Sequence, residues 1–183
     1  DDNLATNGSK VGIGKWDHES NSWDLYTTSE TASVLPSNVG YEMLYKASGG
    51  DQLVTFSGSM VTATTRDSRE SVTNTWQLLG NPYPSYVRMS SQATGAGSAS
   101  NDYFFDTDNL NKVNASYQAF YGFDGNAYDT YAHNNTDVTL LMPGDAFFVY
   151  SGGFNTYQFN EAMQVHSSDP VSYTHLTLPT KCW

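Results

Sequence analysis

Four aspartates stand beside aromatic residues at matched spacing: Asp17 and Asp24 in KWDHESNSWDLYTT (15–28), and Asp124 and Asp129 in GFDGNAYDTYAHN (122–134). Paired carboxylates can act as acid and base on a glycosidic bond. The same acid at the same place in two segments points instead to hairpin turns, since a repeated turn needs its cap twice. Nucleophilic hydrolysis would need a Ser or Thr near a His and an orienting acid. His18, His133 and His166 lie in different segments with no Gly-x-Ser-x-Gly turn, and they read as surface histidines on turns and strand ends. Closely spaced His or Cys ligands for zinc do not occur. In DTDNLN, Asp106, Asp108, Asn109 and Asn111 offer oxygen donors of the kind calcium takes. The segment lacks the Gly and distal Glu of an EF-hand loop, so an Asx turn is expected there. No catalytic residue, metal ligand or cofactor is assigned.

Aromatic side chains offer another chemistry. Trp16, Trp23, Phe123, Tyr128, Tyr131 and Tyr150 could line a sugar-binding face, although strand alternation sends half of any such set inward. A sugar platform would need two or more exposed, coplanar rings.

The elements that must position these groups read as strands. Aromatics make up 14% of the 183 residues, and Thr, Ser, Asn, Asp and Gly crowd the rest, a mixture that favours strands and turns. Strand signals recur at 11–17, 22–27, 40–47, 53–57, 76–79, 117–123, 128–133, 146–150 and 156–160, each bounded by turn residues. No window of eleven residues or more keeps a helical apolar period. The expected fold is all-β, an antiparallel, jelly-roll-like sandwich in one domain over 1–169. The formal net charge of −11 argues against phosphate-mediated nucleic-acid binding, and no apolar stretch is long enough to span a bilayer as a helix. The start, DDNLATNGSK, shows neither an initiator Met nor a signal peptide and reads as a mature or truncated piece.

Internal similarity supports two related modules, about 11–65 and 117–168. Besides the two Asp-bearing segments, GYEMLYKASGGDQLVTFSGSM (40–60) resembles GDAFFVYSGGFNTYQFNEAM (144–163). Gly40 answers Gly144, Gly49 and Gly50 fall near Gly152 and Gly153, Phe56 answers Phe159, and Met60 answers Met163. Trp23 and Tyr128 are expected in equivalent strands. Between the modules lie WQLLGNPYPSYV (76–87) and a segment, 88–116, whose part SSQATGAGSASND (90–102) is expected to be a polar surface loop, with YFFDTDNLNKVN (103–114) returning to the sheet.

The stretch from Trp76 to Ser85 is the most individual part of the chain. Trp76 to Leu79 is expected as a buried strand stopping at Gly80-Asn81, where glycine permits positive φ and the Asn side chain can hold a turn. Pro82 and Pro84 lack the N–H of a continuing ladder, so the chain must leave the sheet in a stiff corner. Tyr83 is expected to pack its ring on the sandwich rim and give its hydroxyl to a backbone partner, and the Tyr83–Pro84 bond is the better candidate for a cis peptide.

WQLLGNPYPS resembles the W-x-L-x-GNPYPS signature of large secreted and surface proteins of Bacteroidota, many of them type IX secretion cargo or adhesin-like. The flanks agree: Gly40-Tyr41 and Phe56-Ser57-Gly58 before it; Pro143, Ala146, Phe147, Phe148 and Val149 after it; then Phe159, Met163, Val165, His166 and Ser167. The resemblance covers about residues 11–168. The family commonly has an acidic residue and a Trp soon after the signature, where this chain has Tyr86-Val87-Arg88-Met89. The resemblance implies β architecture and an extracellular, non-catalytic structural or adhesive role within a larger protein. A carbohydrate-binding module attached to a secreted glycan-active enzyme is the alternative. Partners implied are a glycan or another surface protein. The end, VSYTHLTLPTKCW (171–183), resembles the translation of a sequencing-transposon adapter, so 170–183 is expected to be a non-native tail; it holds His175 and the single cysteine, Cys182.

Overall fold

The computed structural model describes residues 3–30, 33–46, 54–66, 71–97, 101–153 and 156–165. The tail from 170, His166 and the pair Gly49 and Gly50 lie outside these residues. The chain is all-β and antiparallel. Its strands are β1 (Thr6–Asn7), β2 (Lys10–Asp17), β3 (Ser22–Thr27), β4 (Tyr41–Met43), β5 (Thr65–Arg66), β6 (Trp76–Gly80), β7 (Tyr86–Arg88), β8 (Ala119–Phe123), β9 (Tyr128–Ala132), β10 (Leu140–Leu141), β11 (Ala146–Tyr150), β12 (Gln158–Phe159) and β13 (Gln164–Val165). One helical turn, α1 (Thr107–Leu110), interrupts them. No helix among the described residues is long and apolar enough to cross a membrane.

The sheet β6-β11-β8-β9 is the backbone of the architecture. Its two faces follow from the pleat: cross-strand partners share a face, and neighbours along a strand alternate. Leu79 lies opposite Phe147 and Gln77 opposite Val149, while Phe120 lies opposite Tyr131. That face packs into the core with Tyr83, Val87, Met89, Phe104, Phe105, Val113, Leu141, Tyr157, Phe159 and Met163. The short sheet β10-β7-β13 and the pair β12-β5 supply the facing layer, which makes the arrangement sandwich-like. Perpendicular ring contacts knit the layers, with Phe104 and Phe147 at 5.1 Å and 86°.

The other face carries Trp76, Leu78, Ala146, Phe148, Tyr150, Tyr121, Phe123 and Tyr128. Against it stands the first module's sheet, in which β2 pairs with β1, β3 and β4. The two modules share a connectivity. In each, a hairpin (β2–β3, β8–β9) is followed by a third strand (β4, β11) that pairs with the hairpin's first strand on its far side. Trp23 lies opposite Trp16 and Tyr128 opposite Phe123, each opening its hairpin's second strand. Gly40 and Gly144 both precede the third strand, yet the registers differ. Glu42, two residues beyond Gly40, lies opposite Gly14, whereas Phe148, four beyond Gly144, lies opposite Tyr121. A shift of two keeps every side chain on its face.

The remaining parallels do not extend to packing. Phe159 and Met163 are buried, while Phe56 and Met60 are 56% and 79% exposed, and 54–57 forms no strand. A side chain joins the core only where another surface meets it, and nothing described covers Phe56. The joining segment is also richer than a polar loop: Met89, Ala93, Phe104, Phe105 and Val113 are buried. Residues 103–114 form no extended strand: Phe104 and Phe105 N–H groups donate to the Arg88 and Met89 carbonyls (2.8 and 3.1 Å), α1 follows, and the segment returns to the sheet only at Val113, which bridges Ser151 at the end of β11. Two adjacent phenylalanines can both be buried here because 104–105 is a turn, where side chains do not alternate as on a strand, and their rings meet edge to face at 88°.

Gly80 is needed for a reason other than its expected one. It does not have positive φ. A Cβ there would stand 2.7 Å from the Val39 carbonyl oxygen, because the Asn38–Gly40 segment runs along the edge of β6, with the Gly80 N–H donating to Asn38 O at 3.1 Å. Gly80→Ala is therefore expected to cost about 2 kcal/mol by displacing backbone. A change of midpoint in urea reads this, and an unchanged midpoint would mean that the segment yields freely.

Candidate functional site

The corner after β6 is an internally bonded unit. The Asn81 carboxamide oxygen accepts the Tyr83 N–H at 2.9 Å, an Asx turn. Its nitrogen donates to the carbonyls of Ser85 (2.9 Å), Met142 (3.0 Å) and Leu141 (3.3 Å), tying the corner to β10 and the turn beyond it. Pro82 is buried and Pro84 exposed. Among the described residues no peptide bond is cis, Tyr83–Pro84 included. The Tyr83 ring enters the core, 2% exposed, instead of lying on the rim. Its hydroxyl donates to Phe159 O at 2.8 Å, with Ala63 O at 3.2 Å, and burial pushes the phenol far above its usual range. Trp76 starts the strand on the opposite face, and its carbonyl accepts the Trp16 indole N–H at 3.0 Å.

Of the four repeated acids, Asp17 and Asp124 serve turns, whereas Asp24 and Asp129 lie within strands. Asp17 accepts from the Glu19 N–H (3.0 Å) and the Ser20 hydroxyl (2.6 Å), and Asp124 accepts from the Asn126 and Ala127 N–H groups (both 2.7 Å). Both carboxyls are held below their usual range, Asp17 chiefly by Ser20 and Asp124 chiefly by the Ala127 N–H. A carboxyl whose folded pKa is depressed lends stability above its unfolded pKa and loses it as pH falls through the folded value. The acid limb of thermal unfolding, followed from about pH 6 to 2, is therefore expected to be shallower in an Asp17→Ala/Asp124→Ala variant than in the parent. Equal limbs would remove the acids from the turn account. Asp24 is ion-paired with Lys15 at 3.4 Å, on an exposed stretch, and Asp129 is exposed.

Two of the four suspected calcium donors, Asp106 and Asn109, are committed to bonds within the fold. Asp106 caps α1 through the Thr107 N–H and accepts the Asn101 N–H. The Asn109 side chain bonds the Gln158 backbone in both directions, at 2.7 and 3.0 Å. No group of three or more His, Cys, Asp or Glu that could hold a metal occurs among the described residues. His18, expected on the surface, is buried at 8% exposure on its hairpin turn, because Glu19, Ser20 and Asn21 form the exposed tip beyond it.

The aromatic candidates converge more closely than their sequence spacing suggests. Trp16 and Trp23 from the first sheet meet Phe148 of the second at 5.3 and 6.4 Å between centroids, and Tyr128 meets it at 5.8 Å. Tyr150 packs on Trp76 at 5.0 Å on the same face, and Phe123 on Tyr128 at 5.0 Å. Tyr131 turns to the opposite face and stacks on Phe120. Between the sheets lies a cleft of about 580 Å³ walled by Trp23, Leu25, Leu78, Tyr121, Tyr128 and Phe148, with Glu42 and Asp145 among its lining residues. A second cavity of about 520 Å³ adjoins it and shares Tyr121, Tyr128 and Phe148. Gly12 sits on the cleft's first-sheet wall, where any side chain would strike the Leu44 carbonyl at 2.4 Å.

Sequence reasoning named Trp16, Trp23, Phe123 and Tyr128 but missed Tyr121, Glu42 and Asp145. Period-2 alternation from Phe123 would have found Tyr121; nothing local marks Glu42, which comes from β4, or Asp145, in the turn before β11. The rings are not coplanar: Trp16 and Trp23 cross at 82°, and Tyr128 and Phe148 at 70°. Such edge-to-face contacts are those of a packed aromatic cluster with an open side. Comparison with protein-family models, curated proteins and solved structures finds no match in any of the three.

Proposed function

We propose that the chain is a non-catalytic module of a larger secreted or cell-surface bacterial protein, with a structural or adhesive role. The observation that carries this reading is the fate of Asn81 and Tyr83: every polar atom of the two side chains is bonded to backbone inside the fold. A signature segment spent in this way builds a scaffold. The turn-bound Asp17 and Asp124 support the same reading, and the open aromatic cleft gives the scaffold a surface for recognition. Antibody raised against the chain should label intact cells of a Bacteroidota host that carries the gene, and protease applied to those cells should remove the label. Label found only after lysis overturns the surface assignment.

The alternative, a carbohydrate-binding module, draws support from the aromatic lining of the cleft. Rings standing edge to face suit insertion of a single sugar better than stacking on a flat polysaccharide.

A further inference from the structure

Two cavities, of about 580 and 520 Å³, adjoin across Tyr121, Tyr128 and Phe148 of β8, β9 and β11, which line both, and together they make up the groove considered as a binding surface. Its walls are aromatic faces and edges, and the ionisable groups on it other than tyrosine are the carboxylates of Glu42 and Asp145. Burial holds the Tyr128 phenol above its usual range, and Glu42, reaching across from β4 on the first sheet, adds to that as a like charge. Asp145 follows the turn Met142-Pro143-Gly144, in which Gly144 takes φ +84°, and one of its oxygens accepts the Met142 N–H at 3.0 Å. Burial raises the Asp145 carboxyl above its usual range, so its negative charge is poorly compensated. Among the described residues the ion pair present is Lys15 with Asp24, and it lies outside the groove lining. That lysine also sits 5.8 Å over the Tyr26 ring, so the fold already uses an acid and an aromatic face together to hold an ammonium group.

We infer that the groove binds an extended segment of a partner polypeptide through its arginine or lysine side chains, the cation seated against the Trp23, Tyr128 and Phe148 rings and facing Glu42 and Asp145. Aromatic faces attract cations, and a carboxylate in a partly desolvated wall strengthens that attraction. The chain's charge of −11 adds a long-range field of the right sign. Two adjoining cavities, with the carboxylates of Glu42 and Asp145 on the larger, offer places for more than one side chain, which a polypeptide segment supplies and a single small cation does not. This inference deepens the reading of the chain as a recognition module and rests on it. The two fail separately, since cell labelling reads where the chain sits and peptide binding reads what the groove holds.

The test uses a fluorescein-labelled peptide with alternating Gly and Arg, the same peptide with Gln for Arg, free spermidine and maltohexaose as competitors. Anisotropy with the whole chain should show the Arg peptide binding at least about tenfold more tightly than the Gln peptide. Glu42→Gln/Asp145→Asn, in which the new amide oxygen at 145 still accepts the Met142 N–H, should weaken it by about tenfold, as should Tyr128→Ala. Glu19→Gln/Glu161→Gln, which removes the same charge from exposed sites elsewhere, should leave it within about twofold. Equal loss in both double variants would reduce the binding to net charge and overturn the inference. So would equal binding of the Arg and Gln peptides, competition by spermidine at matched cation concentration, or displacement by maltohexaose. Thermal melts of each variant separate lost binding from lost fold; if Tyr128→Ala unfolds, the carboxylate pair decides.

Discussion

Tyr83→Ala should lower the stability of the fold by about 4 kcal/mol, the range for deleting a fully buried ring from a packed core. The ring touches the cluster that both layers share, and its hydroxyl satisfies the carbonyl of Phe159, itself fully buried. Tyr83→Phe separates the two contributions. It keeps the ring and strands the carbonyl, which should cost about 1–2 kcal/mol. Urea unfolding followed by tryptophan fluorescence measures both. An unchanged midpoint for the alanine variant, together with lost binding of a partner, would turn the corner into a ligand loop.

Asn81→Ala should cost about 3 kcal/mol, although it removes fewer atoms. The side chain answers four backbone groups at once: the Tyr83 N–H and the carbonyls of Ser85, Leu141 and Met142. Alanine leaves them facing a space too small and too apolar to hydrate well. Asn81→Asp gives a sharper form of the prediction. The carboxylate still accepts from Tyr83, but it aims negative charge at carbonyl oxygens, so its folded pKa must lie above its unfolded value of about 4. Stability of that variant should be close to the parent's in acid, where the protonated group can donate, and should fall as pH rises through the carboxylate range. Midpoints measured across that range check the sign. A variant more stable at neutral pH than in acid would contradict the donor role assigned to Asn81.

These two residues mark the limit of what is legible without coordinates. That Asn81 closes a turn follows from its place between Gly80 and Pro82, because an Asx turn needs only its own neighbours. That its nitrogen also holds Leu141 and Met142 does not, since those carbonyls are 60 and 61 residues away. The depth of Tyr83 is illegible for the same reason: Phe159, whose carbonyl takes its hydroxyl, is 76 residues away, and Phe104 and Phe105 join the same core from the segment after β7.

Local chemistry in the sequence determined the hairpins and their repetition. Aromatic-rich runs bounded by turn residues mark β8, β9 and β11, Asp17 and Asp124 close equivalent turns by accepting from the residues two and three positions on, and Gly40 and Gly144 precede equivalent third strands. Each of these depends on interactions within a few residues, which composition and spacing record. Tertiary structure alone decided which surfaces meet. Gly80 is required by Val39, a residue 41 positions earlier in the chain; Phe56 and Met60 stay exposed where their counterparts are buried; and Trp23 and Phe148 converge from two sheets to wall a cleft that Glu42 enters from β4 and Asp145 from the turn before β11. Side chains on a strand are aimed by the pleat, but what they are aimed at depends on how one sheet lies across another, and no local pattern encodes that.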